Sequence, residues 1–117
     1  MNALVHAELL MDDRAVAAVP PTGKGELVQV IREIFSNIAR HAGAKEVSLQ
    51  CSLSDGRIVI TIEDDGVGFD PSQITRGHGL SNIEARAGKL GGDFQVRARV
   101  PRGTIQVLSF PEGGHHD

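Results

Sequence analysis

Tryptophan and tyrosine are absent from the chain, and four phenylalanines supply all of its aromatic mass. Aliphatic side chains must therefore fill the core. A single cysteine, Cys51, excludes an internal disulfide and fits a reducing compartment. It alternates with Val47, Leu49 and Leu53, which marks it as packing rather than as a nucleophile. No apolar run is long enough to span a bilayer. No charged segment precedes the short apolar stretch at the N-terminus, so a signal peptide is not expected. The formal net charge of −3 leaves no basic footprint for nucleic acid. Nor does a basic amphipathic segment point to a membrane surface. The expected compartment is the cytoplasm.

Several chemistries lack their signatures. Gly23-Lys24 would suit a P-loop, but position 18 is Ala and no Ser or Thr follows the lysine. The acidic run 63–70 has neither the spacing nor the final glutamate of an EF-hand. One cysteine and scattered histidines do not make a zinc site, and no nucleophile elbow supports a Ser/His/Asp triad.

What is present centres on Ile58 to Gly68, IVITIEDDGVG. Ile58, Ile60 and Ile62 share one face of a strand, and counting on by two reaches Asp64. A carboxylate thus lies on the core-facing side where the strand gives out. Such a group is costly unless something donates hydrogen bonds to it. Gly66 and Gly68 clear the exit path for close approach to the backbone. Two readings stand: the floor of a ligand pocket, or an ordinary Asp-Gly turn.

The rest of the chain reads in order. Asn2 to Met11 is a short helix or a strand, and Ala15 to Val19 reads as a short strand. Pro20-Pro21 ends it, and Thr22 is the expected N-cap of the next helix. From Lys24 to Ala42 the spacing of Leu27, Val30, Ile31, Ile34, Phe35 and Ile38 predicts that helix, stopped by Gly43. Glu33, Asn37, Arg40 and His41 form a polar stripe beside its apolar one. That stripe is either a solvated face or a set of groups able to meet a metal-bound phosphate. Glu46 to Leu53 and Arg57 to Glu63 read as a hairpin turned by Ser54-Asp55-Gly56. Gly79 to Leu90 is helical, with Leu80, Ile83, Ala87 and Leu90 on one face and Gly91-Gly92 at its end. Gly77-His78-Gly79 at its start is a phosphate-attracting helix N-terminus or a flexible hinge. Phe94 to Val100 and Thr104 to Phe110 form a second hairpin, turned by Pro101-Arg102-Gly103. Residues 111–117, with His115 and His116, read as a frayed tail.

This order predicts a two-layer α/β sandwich, a mixed or antiparallel sheet with helices on one face. The Asp64 loop, the Gly77 loop and the Glu33/Asn37 stripe would surround a gap between the layers.

Four segments in order carry a resemblance: Glu33-Ile-Phe-Ser-Asn37-Ile-Ala-Arg40-His41-Ala, Asp64-Asp-Gly66-Val-Gly68-Phe, Gly77-His78-Gly79-Leu80-Ser-Asn-Ile, and Gly103-Thr104. Together they resemble the ATP-binding motifs of the GHKL superfamily, which includes sensor histidine kinases, gyrase and MutL. The wording NIARHA followed by GHGLSNIEARAGKLGG most resembles the NarX/DesK/DevS-like branch of the sensor kinases. The resemblance implies a Bergerat-type fold over residues 24–110, with 1–23 leading into it and 111–117 outside it.

It also implies roles. Asp64 would accept from the adenine amino group, and Thr104 would help hold that base edge. Gly66 and Gly68 would let the nucleotide lie against the backbone. Asn37 would ligate Mg²⁺ on the phosphates of ATP, and Glu33 would orient the attacking group or a metal-bound water. Arg40 and His41 would lie near the phosphates. Gly77, His78, Gly79 and Leu80 would cradle phosphate. The partners implied are a histidine-bearing dimerisation domain of the same kinase and the receiver domain of a response regulator. An anti-sigma-factor-type serine kinase or a non-catalytic nucleotide-binding module are the alternatives. Nothing in the chain matches an acceptor-histidine motif, and the segment from Phe69 to Gly77 is short for an ATP lid.

Overall fold

The computed structural model describes residues 6–39, 43–66 and 79–113, with the backbone alone at 6, 7 and 79–81. Five strands form one sheet: β1 (His6–Met11), β2 (Glu46–Ser54), β3 (Arg57–Asp64), β4 (Asp93–Ala98) and β5 (Thr104–Pro111), in the order β1-β2-β3-β5-β4. β1 runs parallel to β2, and every other pair is antiparallel, so the sheet is mixed. Among the described residues three α-helices pack on it: α1 (Asp13–Ala17), α2 (Lys24–Asn37) and α3 (Gly79–Lys89).

Period-two alternation decides which face is covered. Val47, Leu49 and Cys51 of β2, Ile58, Ile60 and Ile62 of β3, and Leu108 and Phe110 of β5 are buried. Val30 and Ile34 of α2 and Ile83 and Ala87 of α3 complete the same core. Among the described residues the core is aliphatic with one fully buried aromatic, Phe110, as the composition required.

Both hairpins form. Asp55 and Gly56 have φ of 52° and 76°, the left-handed pair that a two-residue hairpin loop needs to match strand twist. β4 ends at Ala98, two residues before its expected limit. α3 closes with Gly91 at φ 75°, while Gly92 N–H donates to Ala87 O and Gly91 N–H to Gly88 O. That pattern satisfies carbonyls the helix would otherwise leave bare.

The N-terminal region settles one open choice and differs from expectation at two points. The open choice at Asn2 to Met11 resolves, from His6, as a strand. Ala15 to Val19 is not a strand: α1 spans Asp13–Ala17, capped by the Asp12 carboxylate accepting from Arg14 N–H at 2.9 Å. Ala15 and Val19 are both buried, four apart, which is helical spacing. Thr22 is not the N-cap of α2. It lies in the 3₁₀ turn Pro21–Gly23, and Gly23 takes the cap position without a side-chain bond.

α2 is regular to Asn37; Ile38 N–H donates to the Ile34 and Phe35 carbonyls, and residues 40–42 lie outside the described residues. At the other end, the chain does not fray from 111. Glu112 N–H donates to Gly56 O at 2.9 Å and Gly113 N–H to Ala18 O at 2.8 Å. The expected loop 70–78 and residues 114–117 lie outside the described residues.

Candidate functional site

The site is built where β3 ends beside the start of β5. The alternation that buries Ile58, Ile60 and Ile62 carries one step further and buries Asp64, which is 1% exposed. Its Oδ1 accepts from Gly66 N–H at 2.9 Å. Its Oδ2 is buried with no hydrogen-bond partner. Burial pushes the Asp64 carboxyl above its ordinary range; the Gly66 N–H opposes this, the Asp65 charge adds to it, and Arg99 opposes it. An ionised carboxylate in this position still has an acceptor to offer.

Asp65, the next residue, points elsewhere and does a different job. Its Oδ1 accepts from Lys45 N–H at 2.8 Å and Glu46 N–H at 3.0 Å, and its own N–H donates to Glu46 O at 3.2 Å. Those backbone donors hold its carboxyl below the ordinary range. Asp65 therefore fastens the end of β3 to the start of β2, and Asp64 is left facing inward.

Thr104 lies opposite Asp64 in the β3–β5 register. It is buried, and its Oγ1 has no partner. The two strands approach so closely here that a Cβ on Gly103 would collide with the Asp64 carbonyl. Gly103 also has φ 113°, which only glycine adopts readily. Gly66 is buried and held from both sides: its N–H by Asp64, and its carbonyl by Arg102 Nε at 3.1 Å. Arg102 O in turn accepts from Arg99, whose Nε pairs with Glu63 at 3.2 Å.

On the helix side, Asn37 is 2% exposed, and Glu33 one turn earlier is half-buried. Asn37 is thus part of the packed layer rather than of a solvated face. Gly79 is the first residue of α3, followed by Leu80. The structure brings Asp64, Gly66 and Thr104 into one group, keeps Glu33 and Asn37 together on α2, and sets Gly79 and Leu80 at the opening of α3. Arg40, His41, Gly68, Gly77 and His78 lie outside the described residues.

Two contributors escaped the sequence reading. Asp65 was hidden by its neighbour, although adjacent residues of a strand must face opposite ways. Gln106 is 1% exposed, and neither Nε2 nor Oε1 has a partner. Its signal was available: a carboxamide in the inward series Thr104, Gln106, Leu108, Phe110.

The buried, unpaired oxygens of Asp64 and Thr104 suit a ligand carrying donors on a flat polar edge. Comparison with known proteins agrees with that chemistry. Residues 23–114 match the family model described as histidine kinase-, DNA gyrase B- and HSP90-like ATPase. The chain is 32% identical over 107 residues to the signal transduction histidine-protein kinase/phosphatase UhpB of Salmonella typhimurium, covering 92% of this chain and 20% of that protein. It is 34% identical over 93 residues to the nitrate/nitrite sensor protein NarX of Escherichia coli, covering 79% and 16%. The chain thus spans about a fifth or less of the length of these curated relatives. Among solved structures, the blue-light activated histidine kinase of Erythrobacter litoralis superposes with a TM-score of 0.78 at 23% identity, over 95% of this chain and 36% of that one. The ATP binding domain of PrrB from Mycobacterium tuberculosis gives 0.72 at 22%, over 94% and 82%. These two likenesses establish the fold.

Proposed function

The chain belongs to the histidine kinase-, DNA gyrase B- and HSP90-like ATPase family, and from that premise we propose that it is the catalytic, ATP-binding domain of a NarX-like two-component sensor histidine kinase. The domain proper runs over residues 24–110 and works in the cytoplasm. In the whole protein it passes the γ-phosphoryl of ATP to a histidine on a separate dimerisation domain. An aspartate on a response regulator receives it next.

What carries this reading is the pair of buried, unpartnered oxygens, Asp64 Oδ2 and Thr104 Oγ1, on residues paired in register across β3 and β5. An unpaired buried polar atom is expensive, and a ligand donor removes the cost. Asp64 accepts from the exocyclic amine of adenine, and Thr104 holds the same edge. Gly66 and Gly68 admit the nucleotide against the backbone. The side-chain oxygen of Asn37 is suited to Mg²⁺, which takes one or two protein oxygens alongside phosphate. When bound, that ion neutralises charge on the transferring group. Glu33, one turn away, orients the attacking nucleophile. Arg40 and His41 are assigned to the phosphates by the sequence resemblance alone. Gly79 and Leu80 offer backbone N–H groups at the start of α3, and the resemblance assigns Gly77 and His78 to the same phosphate-binding segment.

Titration calorimetry tests the base-reading role. Wild-type chain should bind ATP, and Asp64→Asn should lose roughly 10- to 100-fold in affinity, the value of a hydrogen bond to a charged group. Unchanged affinity would remove Asp64 from the site. Labelled ATP with an added histidine-bearing domain should yield an acid-labile phosphoprotein; an acid-stable product would indicate a serine acceptor instead.

A further inference from the structure

Gln106 sits two residues along β5 from Thr104, on the same helix-facing side, opposite Ile62 of β3 and Val96 of β4. The next inward positions, 108 and 110, hold Leu and Phe. An aliphatic residue at 106 would complete that layer. A carboxamide does not: it is 1% exposed, and both its donor and its acceptor go unpaired. Buried polar atoms in folded proteins nearly always have partners, so both ends of one side chain lacking them calls for a missing partner. The residues bearing these orphaned atoms are neighbours in register: Thr104 pairs with Asp64, and Gln106 lies two residues further along β5 on the same face.

We propose that Gln106 determines base specificity, its Nε2 donating to a ring nitrogen of the adenine whose amine Asp64 accepts. This rests on the ATP-binding reading above. The chemistry comes from donor counts. An ionised carboxylate only accepts, so Asp64 takes the amine hydrogen. The ring nitrogen beside that amine is an acceptor and needs a donor, which a carboxamide supplies. Hypoxanthine reverses this edge: a carbonyl acceptor replaces the amine, and the ring nitrogen beside it carries a hydrogen. With Nε2 toward the base, Gln106 and Asp64 together fit adenine; hypoxanthine sets a carbonyl against the acceptor-only Asp64 and needs the Gln106 amide turned over.

The test measures Kd for ATP and ITP on wild-type chain and on Gln106→Leu by calorimetry. Gln106→Leu should weaken ATP about 10-fold, leave ITP within about twofold, and so shrink the ATP preference at least about fivefold. A residue that merely fills the core would leave the ATP:ITP ratio unchanged, and that result would overturn the proposal. Gln106→Met, unbranched and of similar length, serves if the leucine variant fails to fold. NMR of the wild-type chain adds an independent readout. The Gln106 side-chain NH₂ pair should shift with ATP and with adenosine but not with tripolyphosphate. ATP binding that leaves this pair unmoved sinks the Gln106 assignment alone. No ATP binding by the wild-type chain sinks both it and the reading beneath it.

Discussion

Two adjacent aspartates show how far one residue of strand register separates roles. Asp65 is satisfied by two backbone N–H groups and sits below the ordinary carboxylate range; Asp64 is buried, half satisfied and pushed above it. The raised value has a definite sign for stability. Asp64 favours the fold fully below the ordinary carboxylate pKa, and that contribution is lost as pH rises through its folded value. Ionising Asp64 in the ligand-free chain therefore places a charge in a desolvated position. Asp64→Asn should raise the Tm of the ligand-free chain while it weakens ATP. A donor from the base favours the ionised form, so adenosine, which has no titrating phosphates, should bind less tightly as pH is lowered through the folded pKa of Asp64. Calorimetry of adenosine across that window checks it: affinity independent of pH would mean that Asp64 does not meet the base. The inward direction of Asp64 was legible from counting by two along the isoleucines. Its missing partner was not, because burial of one atom depends on what the helix layer brings over it.

Elements whose partners are near in sequence were readable; those with distant partners were not. The β2–β3 hairpin carries its own instructions in the Asp55-Gly56 loop and two alternating strands. β1 has none of this. Its partner is a parallel strand about forty residues away, and parallel register leaves no local turn signal. α1 was misread because five residues rich in alanine and valine fit either period; the deciding feature was the Asp12 cap. The helical pattern leaves Asn37 between solvent and site, since it assigns faces but not which polar group the sheet will cover. Gly103 is where the elements are least forgiving. Its φ of 113° and its contact with the Asp64 carbonyl both exclude a side chain, and the obstacle is backbone rather than a movable tip. Gly103→Ala should cost about 3 kcal/mol, lowering Tm by roughly 10 °C, and should displace Thr104 from Asp64. A variant as stable as wild type would show that the β4–β5 turn can shift without penalty.

At the scale of the whole molecule, the proposed nucleotide touches both layers. The base would lie against the sheet, at Asp64 and Thr104 on β3 and β5. The phosphates would meet the helices, at Asn37 on α2 and at the opening of α3. α2 and α3 are themselves joined by Glu26, which pairs with Arg86 at 2.8 Å and Lys89 at 3.8 Å. A ligand spanning two layers stabilises by its full affinity only while both ends are engaged. Mg·ATP should thus add about 2.7 kcal/mol of stability at a hundredfold excess over Kd, read as a higher Tm. Chelation with EDTA should remove much of that rise if, as proposed, a metal links Asn37 to the phosphates. In the proposed mode adenosine would engage the sheet alone, so its smaller stabilisation should be indifferent to EDTA. Asn37→Ala should reproduce the EDTA effect for ATP and leave adenosine unchanged. Thermal melts with each ligand, with and without chelator, decide the matter. If EDTA weakened adenosine and ATP equally, the metal would be stabilising the fold itself and not bridging protein to phosphate.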